Sequence, residues 1–176
     1  MEDDPVTAAV TMLHQNRPAE ALALFNQALA RFNAAASQER ASFGKAVALH
    51  LLGRLDEAEQ EYLRRIDLAP NDEILANLIA LAVEKFDLPK VEQYSLRLLE
   101  SNPESIVAWQ GLLVVAMERR DLESAAEYFA HIDGRTPAPD DRAIQYRLTG
   151  HMADKLRGLV RPVLVKGTNG SVARSR

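Results

Sequence analysis

The sequence predicts an all-α protein, a solenoid of four helix-turn-helix units followed by a capping helix, and three observations carry that prediction. Segments 18–25, 56–62, 89–95 and 123–129 resemble one another, and aligning Ala21, Ala58, Val91 and Ala125 gives intervals of 37, 33 and 34 residues. Pro70, Pro103 and Pro137 form a second comb, with intervals of 33 and 34. Between these anchors apolar residues return every four positions, as one face of a helix requires, rather than alternating as in a strand. A fixed period of this length marks stacked repeats, because one unit cannot bury its apolar face alone.

The units are expected at about residues 2–36, 39–71, 72–104 and 105–138. In the first, Asn16 suits the turn because asparagine tolerates left-handed backbone, and Pro18 opens the next helix where no N–H is needed. This unit has Ala21, Phe25 and Ala28 but no closing proline, and an insertion near residues 33–37 lengthens its loop. In the second, Phe43, Val47 and Leu51 precede Ala58, Tyr62 and Ile66, with Gly53 between them as a helix C-cap. Asp56 followed by Glu59 reads as a capping box for the helix that follows. The third unit is the most degenerate: Val91 and Ser95 replace the small and aromatic anchors, and one residue is read as deleted near the turn. The fourth has Trp109, Leu112, Ala125, Phe129 and Pro137. Beyond it, residues 139–142 read as a helix start, and Ile144, Leu148, Met152, Leu156 and Leu159 continue an apolar stripe. This is the expected capping helix, at 139–157. Residues 158–176 comprise an apolar run, 159–165, and a basic tail expected to be flexible.

Composition is that of one soluble domain, with 47% hydrophobic and 26% charged residues. The absence of cysteine excludes disulfides, a thiol nucleophile and thiolate metal sites. No apolar run approaches the length of about 20 residues that spans a bilayer, and the acidic start of the chain lacks a secretory leader, so a cytoplasmic protein is expected. The net charge of −4 is unevenly spread: residues 155–176 carry six basic residues and no acid. The acidic remainder is a poor surface for nucleic acid, and neither nucleic acid nor membrane is expected as a partner.

The combination of Trp109, Leu112, Ala125, Phe129 and Pro137, with Gly53, Ala58, Tyr62 and Pro70 in the second unit, resembles the tetratricopeptide repeat over about three quarters of the chain. The resemblance implies a right-handed α-solenoid. Small residues would stand where helices cross, at Ala9, Ala46 and Ala80 on first helices and Ala21, Ala58 and Ala125 on second ones. It also implies that first helices line a concave groove holding peptide segments or partner helices. The residues after the crossing positions Ala9, Ala46, Ala80 and Leu113 are Val10, Val47, Leu81 and Val114, an aliphatic ladder. One turn to either side stand Val6, Leu13, Phe43, His50, Asn77, Glu84, Gln110 and Met117. Members of the family that clamp the acidic tails of heat-shock chaperones use Asn and Lys in slots where this chain has Val10 and Val47, so a carboxylate clamp is not expected. The ladder favours an apolar or amphipathic segment, and acid at the rim favours basic flanks.

No phosphate-binding, dinucleotide-binding, hydrolase or zinc-protease motif occurs, and no two histidines stand four apart, so no enzyme, cofactor or metal is expected. Glu57, Glu59, Glu61, Glu118, Glu123 and Glu127 read as solvated helix exteriors. The expected function is a non-catalytic protein-interaction scaffold. Two further readings stand beside it: the N-terminal regulatory part of a larger glycosyltransferase- or sulfotransferase-type enzyme, and a scaffold that assembles with itself through its C-terminal segment.

Overall fold

The computed structural model describes residues 4–31, 35–67 and 71–132. They form helices α1 (Pro5–His14), α2 (Pro18–Arg31), α3 (Ala35–Leu51), α4 (Leu55–Ile66), α5 (Asp72–Glu84), α6 (Leu88–Ser101), α7 (Ile106–Glu118) and α8 (Leu122–Ile132), and no strand. Pro70, Pro137, the expected capping helix and residues 158–176 lie outside the described residues. The chain divides into two compact units between Leu81 and Ala82. In the first, α1 packs on α2, α2 on α3, α3 on α4, and α1 also meets α3. In the second, α6 packs on α7 and α7 on α8.

One turn closes all four hairpins. Asn16, Gly53, Phe86 and Arg120 adopt φ of 58°, 72°, 57° and 58°. Each N–H donates to the carbonyl three residues back, and the next N–H donates five back: Asn16 to Leu13 and Arg17 to Met12, Gly53 to His50 and Arg54 to Leu49, Phe86 to Val83 and Asp87 to Ala82, Arg120 to Met117 and Asp121 to Ala116. This doubly bonded turn satisfies the last carbonyls of the first helix and needs one left-handed residue, a conformation that costs an L-residue about 1–2 kcal/mol. Asn16 and Gly53 meet that need as the sequence predicts. Phe86 does not advertise it, and it is also 63% exposed. Phe86→Gly is expected to raise stability by about 0.5–1 kcal/mol, the relieved strain exceeding glycine's extra unfolded-state entropy; a higher urea midpoint at unchanged slope checks it.

The turns correct two expectations. From the left-handed residue to the anchor is five residues in every hairpin (Asn16 to Ala21, Gly53 to Ala58, Phe86 to Val91, Arg120 to Ala125), so the third turn carries no deletion. Nor does Asp56 cap α4. The turn places Arg54 at the N-cap, without a side-chain cap bond, and Asp56 within the first helical turn. Arg54 instead grips Glu57, Nε to Oε1 and Nη2 to Oε2 both at 2.7 Å, and Arg17 grips Glu20 in the same way in the first hairpin. The last two hairpins place an acid at this position. Asp87 accepts from the Lys90 N–H at 3.3 Å and Asp121 from the Ser124 N–H at 3.1 Å. Both arrangements put a carboxylate beside the helix N-terminus, where its dipole favours one.

The expected crossing alanines are buried, among them Ala9, Ala21, Ala46 and Ala58 with no exposed surface. Phe25 and Tyr62, nine residues after their turns, fill the core of the first unit. Phe129 does the same in the second, within a cluster of Leu113, Ala116, Ala125 and Ile132 onto which Ile106, Trp109, Met117 and Tyr128 pack. In the third hairpin this position is Ser95, fully buried, and its hydroxyl has no hydrogen-bond partner.

Candidate functional site

Counting back from the four turns defines the face that the ladder was expected to form. Ten, six and three residues before the left-handed residue stand Val6, Val10 and Leu13 on α1, Phe43, Val47 and His50 on α3, and Gln110, Val114 and Met117 on α7. In α5 the same count reaches Ala76, Ala80 and Val83. The assumed deletion displaced Asn77, Leu81 and Glu84 by one residue, about 100° around the helix, so they do not share the register of the other nine. Asn77 and Leu81 are buried, Asn77 donating from Nδ2 to the Glu73 carbonyl at 2.8 Å, whereas Glu84 is exposed.

The first unit brings six of the expected residues onto two helices in contact, α1 and α3. Val6, Leu13, Val47 and His50 are buried, while Val10 and Phe43 are half-buried and keep part of their apolar surface open. Phe43 is held by Tyr62, ring centroids 6.1 Å apart, and His50 meets the same ring edge-on at 6.3 Å. A buried ring on α4 thus orients two side chains of α3. His14 is exposed at the end of α1.

Two of the six acids read as solvated are not. Glu59 and Glu61 are buried. Glu61 accepts from Lys45 Nζ at 2.6 Å, which ties α4 to α3, and from Arg64 Nη1 at 2.9 Å. Its position, eight residues after the turn, holds Leu24, Tyr94 and Tyr128 in the other hairpins. That apolar column was the signal that Glu61 lies inward.

In the second unit, Gln110 and Val114 are buried and Met117 is half-buried on α7. Beside them, and missed in the sequence, α6, α7 and α8 enclose a cleft of about 230 Å³ lined by Leu112, Val115, Ala116, Tyr128 and the charged groups Glu92, Arg119 and Asp121. Arg119 forks onto Glu92 at 2.9 and 2.7 Å. This bond holds the Glu92 carboxyl below its usual value of 4.5 against a smaller opposing effect of burial. Because the folded value is depressed, the stabilisation is present above the unfolded value and is lost as pH falls through the folded one. Urea midpoints of the parent chain and Glu92→Gln should therefore differ at pH 7 and converge as the pH falls below the ordinary glutamate range and through the depressed folded value; a difference that stays constant as acid protonates the carboxylates contradicts the assignment.

Among the described residues no three His, Cys, Asp or Glu side chains are placed to hold a metal ion, and no helix is long and apolar enough to cross a membrane.

Residues 8–73 match the tetratricopeptide repeat family model. No curated protein matches the chain. Among solved structures, MamA of AMB-1 in a P212121 form superposes with a TM-score of 0.64 at 17% identity, covering 97% of this chain and 92% of that one. MamA of MSR-1 in a C2 form gives 0.61 at 16% identity, over 94% and 95%. At such identity the likeness shows the fold alone. Residues 8–73 thus resemble the tetratricopeptide repeat in sequence, and the same hairpin turn recurs four times along the described residues.

Proposed function

We propose that the chain is a non-catalytic protein-interaction module that holds an apolar or amphipathic segment against the faces of its first helices. The observation that supports this reading is the contact between α1 and α3, together with the half-burial of Val10 and Phe43, six and ten residues before the left-handed residues of the turns that follow those helices. Covering two or three large apolar side chains is worth about 1.5–3 kcal/mol each, enough for useful affinity after the ligand's ordering cost. A buried ring behind Phe43 fixes the surface before a ligand arrives, which lowers that cost.

Val10→Asp combined with Phe43→Ala tests it, because both side chains are half-buried and their replacement leaves the packed alanines untouched. Affinity capture with the full chain, quantified by mass spectrometry, should show partners reduced at least tenfold in the double variant and retained by Gln60→Asp, an exposed change on α4. Helical circular dichroism should be equal in all three. Equal capture by the parent and the double variant would overturn the assignment of the face.

A further inference from the structure

We infer that the cleft between α6, α7 and α8 is a second binding site, one that takes the arginine side chain of a basic partner segment. It is separate from the first-helix face proposed above, being in the other unit and of different chemistry. At about 230 Å³ the cleft is smaller than the roughly 300–1,000 Å³ of pockets that enclose whole small molecules, and it suits one long side chain. Leu112, Val115 and Ala116 give it an apolar lining, as the methylene stem of an arginine requires. Tyr128 adds an aromatic wall for the guanidinium, half-buried and steadied by Trp109 with ring centroids 5.8 Å apart.

Charge selects a cation. Glu92 and Asp121 contribute two carboxylates to the lining against the single guanidinium of Arg119. Both acids are held ionised: the Arg119 fork lowers Glu92, and the Ser124 hydroxyl and N–H, at 2.6 and 3.1 Å, lower Asp121. Asp121 also offsets the positive end of the α8 dipole, which would otherwise attract an anion. The side chains of Arg119 and Glu92 are 52% and 37% exposed, so their pair is weak enough to exchange with a second guanidinium. An incoming arginine can meet Glu92 with the same two-point fork that Arg119 uses.

The first unit fills the corresponding positions with a cation of its own. Counted from the left-handed residues, Lys45 on α3 corresponds to Leu112 and Glu61 on α4 to Tyr128, and Lys45 Nζ meets Glu61 at 2.6 Å. Leu22 and Leu52 stand where the second unit has Glu92 and Arg119. There the ammonium comes from within, and the pair beside it is apolar. In the second unit a leucine replaces that lysine and the carboxylates lie at partly exposed positions, where a side chain arriving from solvent meets them.

The test titrates acetyl-arginine amide, and acetyl-citrulline amide as its uncharged counterpart of the same shape, into the isotope-labelled full chain followed by NMR. The arginine probe should shift the backbone amides of Ser124 and Tyr128 saturably and bind about tenfold more tightly than the citrulline probe. Glu92→Gln and Asp121→Asn should each weaken it about threefold or more. Arg119→Met keeps an apolar stem and releases Glu92, so it should strengthen binding about three- to tenfold. Arg97→Ala, an equal loss of charge at an exposed position of α6 outside the cleft, should change it less than about twofold. That contrast separates exchange at Glu92 from general attraction to an acidic surface. Equal affinity for the two probes, shifts confined to residues outside the cleft, or an Arg119→Met chain that binds no better than Arg97→Ala would each overturn the proposal.

Discussion

Phe25→Ala is expected to destabilise the protein by about 3–5 kcal/mol and to reverse the sign of a second substitution, Gly44→Ala. Phe25 is fully buried on α2, where the removal of a whole ring leaves both lost transfer energy and a cavity. Gly44 lies inside α3, where glycine is about 1 kcal/mol worse than alanine on helix propensity alone. The reason for it is the ring opposite: a Cβ on Gly44 would stand 2.2 Å from Phe25 Cζ and 2.4 Å from Cε1. Neither helix can retreat without opening the α2–α3 contact. Gly44→Ala in the parent chain is therefore expected to cost about 1–3 kcal/mol through overpacking, beyond what propensity returns. In the Phe25→Ala background the obstacle is gone, and the same methyl should stabilise by about 1 kcal/mol as propensity and partial cavity filling act together. Urea unfolding of the four chains of this cycle gives the coupling directly. Additive effects would mean that the ring and the glycine do not share one packing site.

How far the fold can be read in the residues follows from the same local chemistry. The anchors Ala21, Ala58 and Ala125 were legible because close helix crossing demands small side chains, and Asn16 and Gly53 because few residues favour left-handed backbone. The third hairpin was legible only to within one residue. Its turn uses Phe86, which carries no turn signal, and the position of the buried aromatic ring holds Ser95, so both markers of register were missing at once. That slip moved the candidate face from Ala76, Ala80 and Val83 to Asn77, Leu81 and Glu84. Glu61 was misread for a different reason. Charge alone predicts exposure, and the ion pairs with Lys45, sixteen residues away in sequence, and with Arg64 make the buried carboxylate tolerable. The cleft beside Glu92 and Arg119 was invisible for the same cause, since its walls come from three helices and its ion pair joins residues 27 apart.

The second large effect is expected at Trp109, the only tryptophan of the chain. Its ring lies parallel to His131, with centroids 3.8 Å apart and 4° between planes, and tilts against Tyr128 at 5.8 Å. Its Nε1–H donates to the Pro103 carbonyl at 2.9 Å, fixing the loop before α7. One side chain thus joins that loop, α7 and both outer positions of α8, on the margin of the cluster around Phe129. Trp109→Ala removes the stack, the apolar contact and the hydrogen bond, and for a half-buried indole should cost about 2–4 kcal/mol. Trp109→Phe keeps a ring on His131 and Tyr128 and loses the donor, so about 1 kcal/mol is expected. The gap between the two substitutions measures stacking and packing separately from the hydrogen bond. His131→Leu supplies the converse, because a leucine covers the indole without a parallel ring and should cost less than Trp109→Ala. If Trp109→Phe proves as damaging as Trp109→Ala, the hold on Pro103 dominates, and the aromatic stack is a consequence of the hairpin's closure rather than a cause of it.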